Sequence, residues 1–253
     1  MNIAERHQFI LNKIQQEGHI NVVDLCQELD VSSVTIRKDL KLLEDKNFLY
    51  RIHGGATINN PYTMDRPVNE KEKLQASEKM KIGAAAASLV EPNDSIIIAS
   101  GTTVLALAKN IHHKGNLTVV TSAVHVALEL SRHQEVEVLL LGGLLRKSSS
   151  SVMGPYAEHI LTDFFCSKLY LGVDGIDLEF GLTTTNAMEA HLNRQMIAIS
   201  NKTIVLADST KFGKRGFGKI CNIEEIDQII TDSGIPAHYL EKLEALGIKV
   251  TIV

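Results

Sequence analysis

VSSVTIRKDLKLLEDKNFLYRIHGGA, residues 31–56, is the stretch that decides how this chain folds. Val31, Ile36, Leu40 and Leu43 recur at roughly helical spacing and share one face, while Ser33, Thr35, Arg37 and Lys38 occupy the N-terminal end with side chains free to project. Hydroxyls and cations placed there suit phosphate and base-edge contacts in a DNA major groove. After Asn47 the pattern changes. Phe48, Leu49, Tyr50, Arg51, Ile52 and His53 alternate apolar and cationic character before Gly54-Gly55, which predicts two short strands around a tight turn, because glycine reaches the positive φ such turns need. From this wing Arg51 and His53 would point toward a DNA backbone or minor groove.

The flanking sequence extends the same reading. Residues 4–16 carry Phe9, Ile10 and Ile14 and predict a first helix that stops at Gly18. Residues 22–29 predict a second, short helix, and Asp30, Val31 and Ser32 a tight connection in which the Ser32 hydroxyl caps the third helix. Together these form a helix-turn-helix. Such a unit is also an ordinary packing motif, and charge does not decide between the two: residues 1–58 hold seven Lys/Arg against eight Asp/Glu. With no overall basic footprint, DNA contact would depend on Arg37, Lys38 and Arg51 clustering on one face and on two copies summing weak contacts.

At 253 residues, with 44% apolar and 22% charged residues, the chain is long enough for a small N-terminal domain, residues 1–58, and a larger body, residues 70–253. Between them the run NNPYTMDRPVN, residues 59–69, has two prolines and little apolar periodicity and predicts a linker. The N-terminus lacks a signal-peptide pattern and no apolar run approaches membrane length, so a cytoplasmic protein with no membrane partner is expected. Cys26, Cys166 and Cys221 are widely spaced and form no CxxC pair, which predicts buried thiols in a reducing compartment. Ten histidines show no ligand spacing; no metal and no cofactor are expected.

Residues 70–90 predict a helical stretch, charged and then alanine-rich, whose first half could relay movement to the N-terminal domain. Beyond Pro92, strands are predicted at 95–99, 117–121, 136–141, 168–173, 203–207, 228–231 and 249–253. Helices are predicted at 104–111, 124–132, 156–164, 188–200 and 237–246. This alternation gives the fold class α/β: an open, mostly parallel sheet covered on both faces, behind a winged helix-turn-helix.

In such sheets, ligands bind at the carboxyl ends of strands near a switch point. Ser100-Gly101-Thr102-Thr103 follows the first strand and opens a helix, a place where backbone N–H groups and hydroxyls can hold a phosphate. Thr121-Ser122 ends the second strand, and Gly142-Gly143 with Arg146 ends the third. Asp174-Gly175 lies beyond the fourth strand, where a carboxylate can bond sugar hydroxyls. Lys211 follows the fifth, and Glu189 stands on the helix after Thr183-Thr184-Thr185-Asn186. Each feature alone is equally well turn chemistry or an N-cap. Several on one edge point to a ligand.

The run Thr35-Ile36-Arg37-Lys38-Asp39-Leu40, with Leu43-Glu44 and Arg51-Ile52-His53-Gly54-Gly55-Ala56, resembles the N-terminal signature of the DeoR family of bacterial transcriptional regulators. The body motifs resemble the family's C-terminal sensor, so the resemblance covers nearly the whole chain. It implies a repressor of sugar-metabolism operons. It also implies a sensor with the fold of sugar-phosphate isomerases and coenzyme A transferases. In that sensor Ser100 to Thr103 form the phosphate loop, Asp174 and Glu189 occupy acidic positions and Lys211 borders the pocket. Family members often read Asp-Ser-Gly-Thr-Thr, whereas this chain has Ala99 before Ser100, which removes any polar contact from position 99. Residues 171–179 and 189–194 look most like the AgaR-like subgroup, regulators of amino-sugar use, which makes an amino-sugar phosphate the first expected effector. The expected partners are a double-stranded DNA operator, a phosphorylated sugar and a second copy, as a homodimer or homotetramer. An isomerase- or deaminase-like enzyme, with Glu189 or Asp174 as proton-transfer base, is the alternative.

Overall fold

The computed structural model describes residues 2–46, 48–52, 54–58, 67–112 and 115–253. The chain divides into two compact units, Met1–Met64 and Asp65–Val253, each with its own core.

In the first unit, helix α1 (Ile3–Glu17) opens with a capping box from Asn2 and Glu5 and closes at Gly18, whose φ of 75° is left-handed. Strand β1 (His19–Asn21) leads into α2 (Val22–Leu29), Asp30 turns the chain at φ 52°, and α3 (Ser33–Asp45) follows. As predicted, Ser32 caps α3, its Oγ accepting the Thr35 N–H at 3.2 Å. Ile36, Leu40 and Leu43 of α3 meet Ile10, Ile14, Leu25 and Leu49 in one buried cluster. Strands β2 (Tyr50–Ile52) and β3 (Gly55–Thr57) form the wing. The sheet has three strands instead of the two expected, in the order β1-β3-β2, because His19 to Asn21 pair antiparallel with β3. Gly55 permits this, since a Cβ there would lie 1.9 Å from the Ile20 carbonyl oxygen.

The second unit begins with α4 (Val68–Lys73) and α5 (Ala76–Ala87). The single helix predicted across 70–90 is broken at Leu74 and Gln75, where Gln75 adopts φ 51°. Then come β4 (Ser95–Ile98), α6 (Thr102–Asn110), β5 (Leu117–Thr121), α7 (Val124–Leu130), β6 (Val136–Leu140), β7 (Leu144–Arg146) and β8 (Ser151–Met153). After these follow α8 (Pro155–Leu161), β9 (Lys168–Gly172), β10 (Gly175–Asp177), β11 (Gly181–Thr184), α9 (Ala187–Ala198), β12 (Thr203–Leu206), β13 (Gly218–Cys221), β14 (Gln228–Thr231), α10 (Ala237–Ala245) and β15 (Lys249–Ile252).

Seven strands pair in parallel in the order β15-β14-β12-β9-β4-β5-β6, and they are the seven strands read from the sequence. Side chains alternate across this sheet as a period of two requires. Ile96, Ile98, Tyr170, Ile204 and Ile230 face α5, α6 and α7, whereas Ile97, Leu169, Leu171, Val205 and Ile229 face α8, α9 and α10. Ala99 is fully buried in the second of these cores, so position 99 contributes packing. A β7–β8 hairpin and an antiparallel β10-β11-β13 sheet, both unexpected, are added beyond the strand ends. Helices α5 and α6 cross at Gly83, where a Cβ would stand 2.5 Å from the Ala106 carbonyl carbon. Among the described residues no helix is long and apolar enough to cross a membrane.

Candidate functional site

The order of the large sheet reverses between β4 and β9: the chain runs outward from β4 through β5 to β6, then returns to β9 on the other side. The crevice expected at such a switch point is present. A pocket of about 580 Å³, counting its open mouth, is lined by Ser100 to Thr103 after β4, Gly172 to Asp174 after β9, Arg146, Ser148 and Ser149 of the hairpin, Thr184, Glu189, Asn193, and Val68 and Lys71 of α4. Gly172 allows the two strand ends to approach; a Cβ there would come 2.8 Å from the Ser100 carbonyl oxygen.

Two carboxylates organise the pocket. Glu189, 5% exposed, is fixed at the first turn of α9, where Asn186 Oδ1 accepts its N–H at 3.0 Å. Its Oε1 accepts from Ser100 Oγ at 2.9 Å and Ser151 Oγ at 3.0 Å, and its Oε2 pairs with Arg146 Nη1. Arg146 Nη2 also donates to Thr185 Oγ1 at 3.1 Å. Asp174 accepts from Lys71 Nζ at 2.9 Å, Thr184 Oγ1 at 3.0 Å and the Thr185 N–H at 3.2 Å. Burial alone would raise its pKa, but the charges of Lys71 and Lys211 and these hydrogen bonds outweigh burial and hold the carboxyl below the usual carboxylate range. Across the pocket, Gly101 starts α6 with φ 135° and no side chain caps that helix. First-turn N–H groups and the positive end of a helix dipole are the chemistry that can hold an anion.

Of the residues expected to hold an effector, Ser100, Gly101, Thr102, Thr103, Arg146, Asp174 and Glu189 line this pocket. Thr121, Ser122, Gly142, Gly143, Gly175 and Lys211 stand outside its lining. Thr121 Oγ1 accepts the Ala123 N–H at 3.0 Å, and the Ser122 carbonyl accepts the Val152 N–H at 2.8 Å. At Gly143, φ 145°, a Cβ would stand 2.6 Å from the Met153 oxygen, and at Gly175 one would stand 2.3 Å from the Lys214 oxygen, so both serve close chain approach. Gly142 joins β6 to the hairpin, and Lys211 closes a 3-10 turn after β12 and acts on Asp174 through charge. Val68, Lys71, Ser148, Ser149, Gly172, Val173, Thr184 and Asn193 also line the pocket and were not among the residues expected there. The serine run 148–151 close behind Arg146 was the available signal.

In the first unit, Ser32, Arg37 and Lys38 are exposed and Ser33 and Thr35 half-buried on the outer side of α3. Arg51 donates to Glu44 Oε2 at 2.8 Å and keeps 42% of its side chain exposed. Gly54, φ 79°, gives its carbonyl to the Val22 N–H at 2.8 Å, so it and Gly55 build the wing. His53 lies outside the described residues. Asp39, quoted above only as part of the family signature, faces inward and receives Arg6 through Nε at 2.5 Å and Nη2 at 3.0 Å, with His7 Nε2 also at 3.0 Å.

A winged helix-turn-helix on one chain with a three-layer sheet that opens a polar pocket at its switch point defines a DNA-reading regulator with a separate sensor. Residues 6–62 match the DeoR-like helix-turn-helix domain and residues 74–233 the DeoR C-terminal sensor domain. The chain belongs to the DeoR family of transcriptional regulators. It is 38% identical over 252 residues to an aga operon transcriptional repressor of Escherichia coli O157:H7, covering 99% of this chain and 94% of that protein. To the transcriptional repressor GlcR of Bacillus subtilis (strain 168) it is 32% identical over 248 residues, covering 98% and 95%. Among solved structures, a ribose 5-phosphate isomerase of Methanocaldococcus jannaschii overlaps 55% of each chain at TM-score 0.41 and 12% identity.

Proposed function

We propose that this protein represses a sugar or amino-sugar catabolic operon and that a phosphorylated sugar in the switch-point pocket controls it. The observation that carries this reading is the uncapped start of α6 opening onto the same pocket as Lys71, Arg146, Asp174 and Glu189. A phosphate needs N–H donors and a helix N-terminus; a sugar ring needs carboxylates that accept from its hydroxyls. Both are present side by side. The names of the aga operon and GlcR repressors support the same class of regulated gene. On DNA, α3 enters a major groove with Arg37, Lys38, Ser33 and Thr35, and two copies or more, in the cytoplasm, place their readers on repeated half-sites.

The pocket favours binding over turnover. Glu189 accepts from Arg146, Ser100 and Ser151 at once, which ties it into the pocket wall and supports a binding role over that of a mobile proton-abstracting base. The deciding experiment is operator binding by the full-length protein, followed by fluorescence anisotropy with DNA upstream of its own and neighbouring genes and titrated with a panel of sugar phosphates. We expect one of them to change operator affinity by a coupling of about 1 to 3 kcal/mol. No preference for a promoter fragment over random duplex, together with no response to any sugar phosphate, would overturn the reading. Conversion of a sugar phosphate that disappears in Glu189→Gln would establish the enzyme instead.

A further inference from the structure

Helix α4 is a wall of the pocket and also the first described helix after residues 59–66, through which the chain continues to the DNA-reading unit. None of its six residues is buried, so apolar packing does little to fix it. Polar anchors do that instead. The Val68 N–H donates to the Ser148 carbonyl at 2.6 Å, and Lys71 Nζ donates to Asp174 Oδ1 at 2.9 Å. From α5, the buried Lys79 ammonium donates to the Lys71 and Leu74 carbonyls at 2.6 Å each, which caps the C-terminal end of α4. Glu72 pairs with Lys109 of α6 at 2.6 Å. Immediately after these anchors comes Gln75 at φ 51°, a left-handed residue other than glycine, at the joint between α4 and α5.

Of these anchors, Val68–Ser148 and Lys71–Asp174 join residues that line the pocket. Lys71 is the weaker-held partner of its pair. Asp174 keeps two further donors, Thr184 Oγ1 and the Thr185 N–H, when the ammonium leaves, and a ligand hydroxyl can replace it at Oδ1. A phosphate ester brings about two negative charges into the same space, a stronger attraction for an ammonium than one carboxylate that is already satisfied.

Resting on the effector reading above, we propose that Lys71 is the contact through which the pocket reports that it is filled: the bound sugar phosphate draws Lys71 away from Asp174 and α4 shifts about the Gln75 joint. No other described element belongs both to the pocket wall and to the stretch that adjoins residues 59–66. Loss of the pair therefore alters the start of the sensor unit directly, without any rearrangement of the sheet.

The test uses the full-length protein with galactosamine 6-phosphate, glucose 6-phosphate and ribose 5-phosphate as probes. A probe that raises the melting temperature of the wild type should speed amide exchange in residues 68–74 while slowing it at the start of α6, and should change operator Kd by a factor within about 5 to 150. Lys71→Met should bind that probe more weakly and, once saturated with it, show an operator Kd close to that of its free form. A saturated Lys71→Met that keeps the wild-type factor overturns the proposal. So does a liganded wild type whose 68–74 amides exchange no faster, a result that stands even if the variant fails to fold. If no probe moves the wild-type melting temperature, the effector reading itself falls first.

Discussion

Asp39 lies between Lys38 and Leu40 on the reading helix, yet its carboxylate is 3% exposed and bonded to Arg6 and His7 of α1. It fixes how α3 sits on α1, and so where Arg37 and Lys38 project. Burial would raise its pKa, but the hydrogen bonds from Arg6 and His7 lower it below the ordinary carboxylate value. A depressed carboxyl stabilises the fold fully above its unfolded pKa and loses that contribution as pH falls through the folded one. Asp39→Asn should therefore cost about 2 kcal/mol in urea unfolding at neutral pH, with the difference from wild type shrinking below about pH 4. Lys79 is depressed too, but there it is the charged form that the fold disfavours, and the window lies in the alkaline range. Burial, reinforced by Lys211 and Lys71 and opposed by Asp208 and Glu72, pushes its ammonium down to about 8. In the window above that value the folded chain has released a proton that the unfolded chain still holds, so stability rises with pH. Compared with Lys79→Met, wild type should gain up to about 2 kcal/mol between about pH 8 and 9.5, measured by urea unfolding; a flat difference would remove the buried charge from the account.

At the level of elements, the strands of the large sheet were readable as short apolar runs, most of them β-branched, and the central ones are buried on both faces, as in Ile96 to Ile98 and Thr203 to Leu206. The small strands were not. His19-Ile20-Asn21 is too short to alternate, and Gly181 to Thr184 reads as a turn because its strand character comes from pairing with β10 and β13. The break between α4 and α5 contains neither glycine nor proline; Lys79 and the Gln75 conformation produce it, and both are tertiary effects. The wing offers a direct check. Since a Cβ at Gly55 would collide with the Ile20 backbone, Gly55→Ala should separate β1 from β3, destabilise the first unit by about 1 to 3 kcal/mol or more and weaken operator binding, as read by thermal melting and anisotropy. Unchanged melting would mean the third strand adds nothing to the unit.

Across the whole molecule, the pocket was half legible. Ser100 to Thr103, Asp174 and Glu189 could be placed because strand ends and a helix start carry them to one edge of a parallel sheet. Lys71 and Asn193 could not, since they arrive from α4 and the second turn of α9, whose positions depend on long-range packing. The reading helix and the pocket lie in different units with separate cores. Arg37→Ala should accordingly lose operator binding by at least about tenfold and keep the full sugar-phosphate shift in melting temperature; loss of both would tie the two sites together. Because Gly83 brings α5 and α6 main chain against main chain at Ala106, no side chain lies between them at that crossing. So close a crossing should make α5 and α6 move as one body, which would tie the start of α6 at the pocket to the end of α5 that adjoins Gln75.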